Sequence, residues 1–304
     1  MKVRALLFLF VFVAIYACIS TPVNAEATPG RRLKVSPIRN EIVVQAGSVY
    51  KGSILLENSG RTALSVMMSD EEFKVVNEHY DYVFLPQSPI NSWVHFAQDT
   101  VIINPGQSYV ANYLISVPNG SEPGGKYISL FASAQPSSND GINSVDRIGS
   151  LVYITVPGAI TKTGALLSLE SPLVGVGVIN WSATIQNAGT AHFRSNYSVD
   201  VKTLWNTPVT TTTDSSLILP ASVRLLSGDI PHPTVMGLYN VTYNFELGDT
   251  PKAIRTKLLL YLPVAQVLPA VGALLLISLY VTHRFRTLRK KGRNTSSSEE
   301  QLYK

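Results

Sequence analysis

Between Glu26 and Leu262 the chain repeatedly alternates apolar and polar residues with a period of two. That is the period of a strand that buries one face and wets the other. Tyr239-Asn-Val241-Thr-Tyr243-Asn-Phe245-Glu246 keeps the pattern throughout. Val178 to Gln186, Tyr109 to Val117 and Lys126 to Ser133 follow it too. Turn signals punctuate these runs at Asn58-Ser-Gly60, Asn104-Pro-Gly106, Pro123-Gly-Gly125, Asn139-Asp-Gly141 and Asn187-Ala-Gly189. No amphipathic helix interrupts them. The fold class expected is all-β, built from antiparallel sandwiches. The single cysteine, Cys18, lies before this region. No disulfide can therefore staple it, and its domains must hold by packing, for which about 110–125 residues each suffice.

The β region reads as the same unit written twice. Ser53 to Glu57 leads into Asn58-Ser-Gly60, and Ser182 to Gln186 leads into Asn187-Ala-Gly189. Each copy continues with a proline before a strand, Pro105 and Pro220. Each then opens a strand on Gly-x-Tyr, Gly125-Lys-Tyr127 and Gly237-Leu-Tyr239. Two tandem Ig-like sandwiches are expected, at residues 33–158 and 163–262. The join falls between Val156 and Thr163, a linker short enough to restrict a hinge.

Both ends carry membrane signals. Lys2 and Arg4 precede an apolar run to Cys18, and Val23-Asn24-Ala25 suits signal peptidase, so residues 1–25 read as a signal peptide. A lipidated Cys18 is the alternative, although Tyr16 stands where a small residue is usual. Leu258 to Thr282 contains no charge. Pro263 separates a strand end from a membrane helix expected at 264–283, with Pro269 in its first two turns. A basic tail, 284–304, follows and by the positive-inside rule is cytoplasmic. Leu268-Pro269-Ala270-Val271-Gly272 resembles a wall-sorting signal, but Val271 stands where threonine is needed. A single-pass cell-membrane protein with an extracellular N-terminal ectodomain is expected.

These ends explain the charge. The chain has 25 Lys+Arg against 20 Asp+Glu and a pI near 9.2. Two basic residues precede Glu26, and seven follow His283 against two acidic ones. The segment between carries a slight acidic excess, without the footprint of a nucleic-acid binder.

No nucleophile elbow, zinc motif or phosphate loop occurs. His79, His95, His192, His232 and His283 stand at no metal-ligand spacing, so no catalytic residue, metal or cofactor is expected. Asp70-Glu71-Glu72 reads as a solvated strand end or a cation site. Asn139 to Asp146 reads as a turn, or as a loop of oxygen ligands without the terminal glutamate of a calcium site. Trp93 and Trp181 sit on alternating strands and suit a core. Candidate partner or glycan contacts are His79, Tyr80 and Tyr82, in a loop, and Trp205, near an edge. Thr207 to Asp214 is threonine-rich. It suits an exposed edge able to accept a partner strand, or a hairpin already paired.

The order of motifs also resembles a known family. Val35-Ser36-Pro37 is followed by Asn58-Ser-Gly60, Ser92-Trp93-Val94, Asn104-Pro105-Gly106-Gln107-Ser108, Ile115-Ser-Val117-Pro118 and Glu122-Pro-Gly-Gly-Lys-Tyr127. This series is similar to the Ig-like N-terminal domain of bacterial WxL-interacting, peptidoglycan-binding surface proteins, and more distantly to pilus-chaperone domains. That family's second Ig-like domain, membrane span and basic tail are matched in order along nearly the whole chain. The resemblance implies binding of cell-wall polymer or a partner surface protein, and no catalysis. A membrane-tethered chaperone for assembly or export of surface subunits is the alternative.

Overall fold

The computed structural model describes residues 32–136 and 146–299. The expected signal peptide, Cys18 and most of the Asn139 to Asp146 loop lie outside the described residues.

The chain folds into two antiparallel β-sandwiches followed by one long helix. In the first sandwich, β1 (Leu33–Ser36), β3 (Val49–Asn58), β8 (Ser108–Ser116) and β6 (Val94–Phe96) lie side by side in that order. The facing sheet runs β2 (Arg39–Val43), β10 (Asp146–Val156), β9 (Gly124–Pro136), β4 (Leu64–Val75) and β5 (Tyr82–Leu85). Strand β7 (Thr100–Ile103) also pairs with β4. The chain crosses between sheets at Pro37. It leaves an antiparallel pairing with β3 and enters a parallel one with β10. Proline suits that crossing because it has no N–H to leave unpaired.

The second sandwich repeats the plan. Strands β11 (Gly164–Glu170), β13 (Asn180–Asn187) and β16 (Ser222–Asp229) form one sheet. The other runs β12 (Val174–Gly175), β18 (Thr250–Tyr261), β17 (Gly237–Leu247), β14 (Phe193–Thr203) and β15 (Pro208–Ile218). Again the first strand switches sheets, and β12 runs parallel to β18 as β2 does to β10.

The repeated Asn-x-Gly signature is the same buried corner built twice. Asn58 is fully buried. Its Nδ2 donates to the carbonyls of Thr62 and Ile103, both at 2.8 Å, and its Oδ1 accepts the Gly60 N–H at 2.9 Å. Asn187 is also fully buried. It donates to Ala191 at 3.0 Å and Ile218 at 2.9 Å, and accepts from Gly189 at 2.8 Å. Ile103 and Ile218 each stand two residues before the matched prolines, Pro105 and Pro220. One side-chain amide thus satisfies three backbone groups that the turn would otherwise orphan.

Each sandwich has its own core. The first gathers Ile54, Leu56, Val66, Ile115, Ile128, Val152 and Ile154 around Trp93. The second packs Ile185, Val201, Val241 and Phe245 around Trp181, whose ring lies 5.5 Å from that of Tyr243. Both tryptophans are buried.

Helix α1 (Val264–Glu299) begins three residues beyond Tyr261. Its segment Val264–Phe285 is long and apolar enough to cross a membrane, with mean hydropathy 2.1.

Candidate functional site

Three places bear on function: the seam between the sandwiches, an open sheet edge, and the end of the second sandwich beside α1.

At the seam, the end of the second sandwich covers the outer face of the six-stranded sheet of the first. That sheet is therefore apolar on both sides. Phe73 is fully buried there, with ring centroids 5.5 Å from Tyr153, 5.8 Å from Tyr127 and 5.4 Å from Tyr82. Leu217, Leu219 and His192 come from the second sandwich. His192 lies against Tyr127, with Nδ1 3.3 Å from the phenol oxygen. Burial lowers its pKa, Glu41 opposes the shift, and Lys162 and Arg194 add to it.

Tyr80 is the rivet of this seam. It holds a left-handed conformation, φ 63°, in the turn Asn77 to Asp81. Asn77 and Asp81 brace the turn by reciprocal hydrogen bonds. The Tyr80 hydroxyl accepts the Leu219 N–H at 2.8 Å and lies 2.9 Å from Ser222 Oγ. The Arg224 guanidinium sits 4.2 Å from its ring centroid. One residue away, the Leu225 N–H donates to the Glu78 carbonyl at 2.8 Å. Burial holds the Tyr80 pKa above the usual phenol value. The Glu41–Arg194 ion pair crosses the same seam. The linker is also tied down: the Thr161 N–H donates to Thr190 Oγ1 at 3.0 Å and that of Lys162 to Asp249 Oδ2 at 3.2 Å.

The expected aromatic contacts are thus not gathered in one groove. Tyr80, expected in a loop either as a contact ring or as an aromatic that closes the end of the sandwich, is buried, its hydroxyl and ring partnered by the second sandwich. Tyr82 is half-buried on β5, and His79 is exposed beside Glu78 at 3.9 Å. Trp205 is at the opposite end of the second sandwich, 87% exposed on the β14–β15 turn.

The open edge is β15. Its inner neighbour is β14, and among the described residues no strand flanks its other side. The threonine-rich segment is therefore both paired on one side and open on the other. At eleven residues it is the longest edge strand among the described residues. Strands β1, β2, β5, β6 and β12 have five residues or fewer. Strand β18, flanked by β12 only at its last two residues, carries Pro251, Lys252, Arg255 and Lys257 along its open stretch. Proline and lysine are the usual means of blocking an edge. Strand β15 has neither between Val209 and Ser216, and Asp214 is its one charge. Asp200 accepts from Thr211 at 2.9 Å and from Asn244 at 2.7 Å, which fixes the polar face beside the edge. A groove of about 450 Å³ opens there, lined by Asn196, Asp214, Asn244, Glu246 and Lys252.

The acidic trio lies inside β4 and not at a strand end. Glu71 pairs with Arg147, and Glu72 accepts from Ser88. Asp70 Oδ2 is buried with no hydrogen-bond partner among the described residues, and desolvation, then Glu71, raises its pKa to about 6. Among the described residues no group of three or more His, Cys, Asp or Glu could hold a metal.

No family model matches the chain, and no curated protein matches it in sequence. The resemblance to WxL-interacting proteins therefore rests on motif order alone. Solved structures are similar over most of the chain, at low TM-scores. The CsuC–CsuE chaperone–tip adhesion subunit complex of Acinetobacter baumannii is 12% identical, with 76% of this chain and 99% of that chain covered and a TM-score of 0.39. The class 5 fimbriae chaperone CfaA is 10% identical over 74% and 98%, with a TM-score of 0.40. The Salmonella enterica SafA pilin–SafB chaperone complex is 12% identical over 76% and 99%, also with a TM-score of 0.40. At these TM-scores nothing about partners carries over to the present chain.

Proposed function

We propose that this chain is a membrane-tethered binding protein without catalytic activity, whose ectodomain holds another extracellular polypeptide by adding a strand to β15. The observation that carries the reading is the long unblocked edge of β15 beside a guarded β18. Main-chain N–H and C=O groups along such an edge bind an extended segment of almost any sequence, and side-chain pockets supply selectivity. In this reading residues 1–25 direct export, Val264–Phe285 crosses the cell membrane, and the basic segment beyond it stays in the cytoplasm. Wall polymer and a surface protein are the two partners that the sequence leaves open. The burial of Tyr80 and the position of Trp205 at the other end of the second sandwich support a polypeptide partner over a glycan. A tethered chaperone would use the same edge, but would release its client where a surface-binding protein retains it.

The test is capture of secreted and surface proteins by the full-length chain in detergent, compared with a V209K/T213K double variant. Both substituted residues are exposed, so folding is expected to be unchanged. We expect a discrete bound polypeptide that the double variant loses by about tenfold or more, as like charges and lysine stems block the edge. Equal capture by both proteins, or capture of wall polymer alone, overturns the reading.

A further inference from the structure

The end of the second sandwich beside α1 presents exposed apolar side chains from three separate loops. Val176 and Val178 come from the β12–β13 loop, Leu204 and Trp205 from the β14–β15 turn, and Val235 and Met236 from the segment before β17. Their exposures run from 43% for Met236 to 87% for Trp205.

The pairing register puts all three loops at one level. Gly237 pairs with Tyr261, Tyr239 pairs with both Thr203 and Leu259, and the Leu262 N–H donates to Gly175 at 2.9 Å. Each loop therefore projects past the end of β18, where α1 starts. None of the three carries an acidic or basic residue from Ser171 to Ile179, from Leu204 to Thr207, or from Thr234 to Met236. The turn that presents Trp205 is rigid. Asn206 takes φ 64°, and the Thr203 N–H donates to the Thr207 carbonyl at 2.9 Å.

The helix is also clamped to this rim. Gln266 Oε1 accepts the Met236 N–H at 3.1 Å, and its Nε2 donates to the Thr234 carbonyl at 3.0 Å. With both amide groups used, the first turn of α1 is fixed against the loop that carries Val235 and Met236.

We propose that this rim is a membrane-docking surface, with Trp205 and its apolar neighbours seated in the interface of the same bilayer that α1 crosses. The inference rests on the reading of α1 as a membrane span. An apolar patch of this kind marks an interaction surface. Its continuity with α1 and its lack of charge select lipid as the occupant. Tryptophan, with an apolar ring and one N–H, belongs at the headgroup boundary. The docked rim fixes the orientation of the ectodomain and turns the seam and the first sandwich away from the lipid.

The experiment uses the full chain reconstituted in phosphatidylcholine vesicles, with and without lipid brominated high on the acyl chains. Trp93 and Trp181 are buried, so the emission lost in Trp205→Phe reports on Trp205. We expect that component to be blue-shifted and quenched about twofold or more by the brominated lipid, as for an interfacial aromatic ring. If the chain stays with vesicles through an alkaline wash but Trp205 emits as in water and is not quenched, the docking inference falls and the span stands. If the wash releases the chain, both fall.

Discussion

At the residue scale, Tyr80 carries more of the architecture than its position in a surface turn suggests. Its phenol satisfies a buried N–H of the other sandwich. Tyr80→Phe keeps the ring and leaves that N–H without a partner, a cost of about 1–3 kcal/mol. Urea unfolding of the full-length chain in detergent is expected to show this loss, with the seam transition moving first. An unchanged midpoint would mean that the hydroxyl is not needed there. Asp70 gives a second prediction, in pH. Its folded pKa of about 6 lies above the unfolded 3.8, so the folded chain binds the extra proton between those values. Stability from this group therefore falls as pH rises from about 4 to 6, and the penalty is full above pH 6. Asp70→Asn removes the penalty. It should stabilise the protein at pH 7 by about 1 kcal/mol, discounted for partial solvent screening, and flatten that part of the pH profile. Thermal melts of both proteins at pH 4 and pH 7 measure it; the same gain at both pH values would contradict the assignment.

At the scale of elements, one-sided strands were legible because their period of two survives in sequence. β13 and β17 alternate without a break, and both bury one face. The repeat was legible for a related reason. A buried asparagine that satisfies three backbone groups tolerates few substitutes, and it needs glycine two residues on. Strand β9 departs from the one-sided expectation: the run from Lys126 to Ser133, expected to wet one face, buries Ile128 to Ala132 in succession, and Leu151-Val152-Tyr153-Ile154 on β10 is likewise apolar on both faces. Such runs belong to a sheet covered on both sides, and they were the available signal for the seam. The acidic trio misled because charge at adjacent positions looks like solvent exposure. Inside β4, an arginine from β10 compensates Glu71, and that pairing is set by sheet order. The status of β15 could not be read locally at all. An edge is a property of strand order, and a threonine-rich run is compatible with an inner strand or an outer one.

At the scale of the whole molecule, the two sandwiches are joined by a seam of aromatic rings and by a tied linker, and the second sandwich runs almost directly into α1. Two surfaces of the second sandwich stand out among the described residues, the β15 edge and the rim around Trp205. They lie on the same sandwich, and they ask for different chemistry: unpaired backbone at the edge, and lipid at the rim. The basic pI that describes the chain as a whole belongs to its far end, and it says nothing about either surface. The repeated all-β pattern was legible along the chain, whereas the place of Tyr80 in a seam was not, because Ser222 and Leu219 lie about 140 residues away from it in sequence.

The central claim is that a polypeptide partner adds to β15. The most direct measurement is site-specific photocrosslinking in intact cells, with the reactive group placed at Thr211 or Thr213 on β15 and, in parallel, at Ile254 on β18. A single polypeptide adduct is expected from the β15 positions and none from Ile254. An adduct of equal yield from both strands, or none from β15 while the protein is correctly inserted, would contradict it.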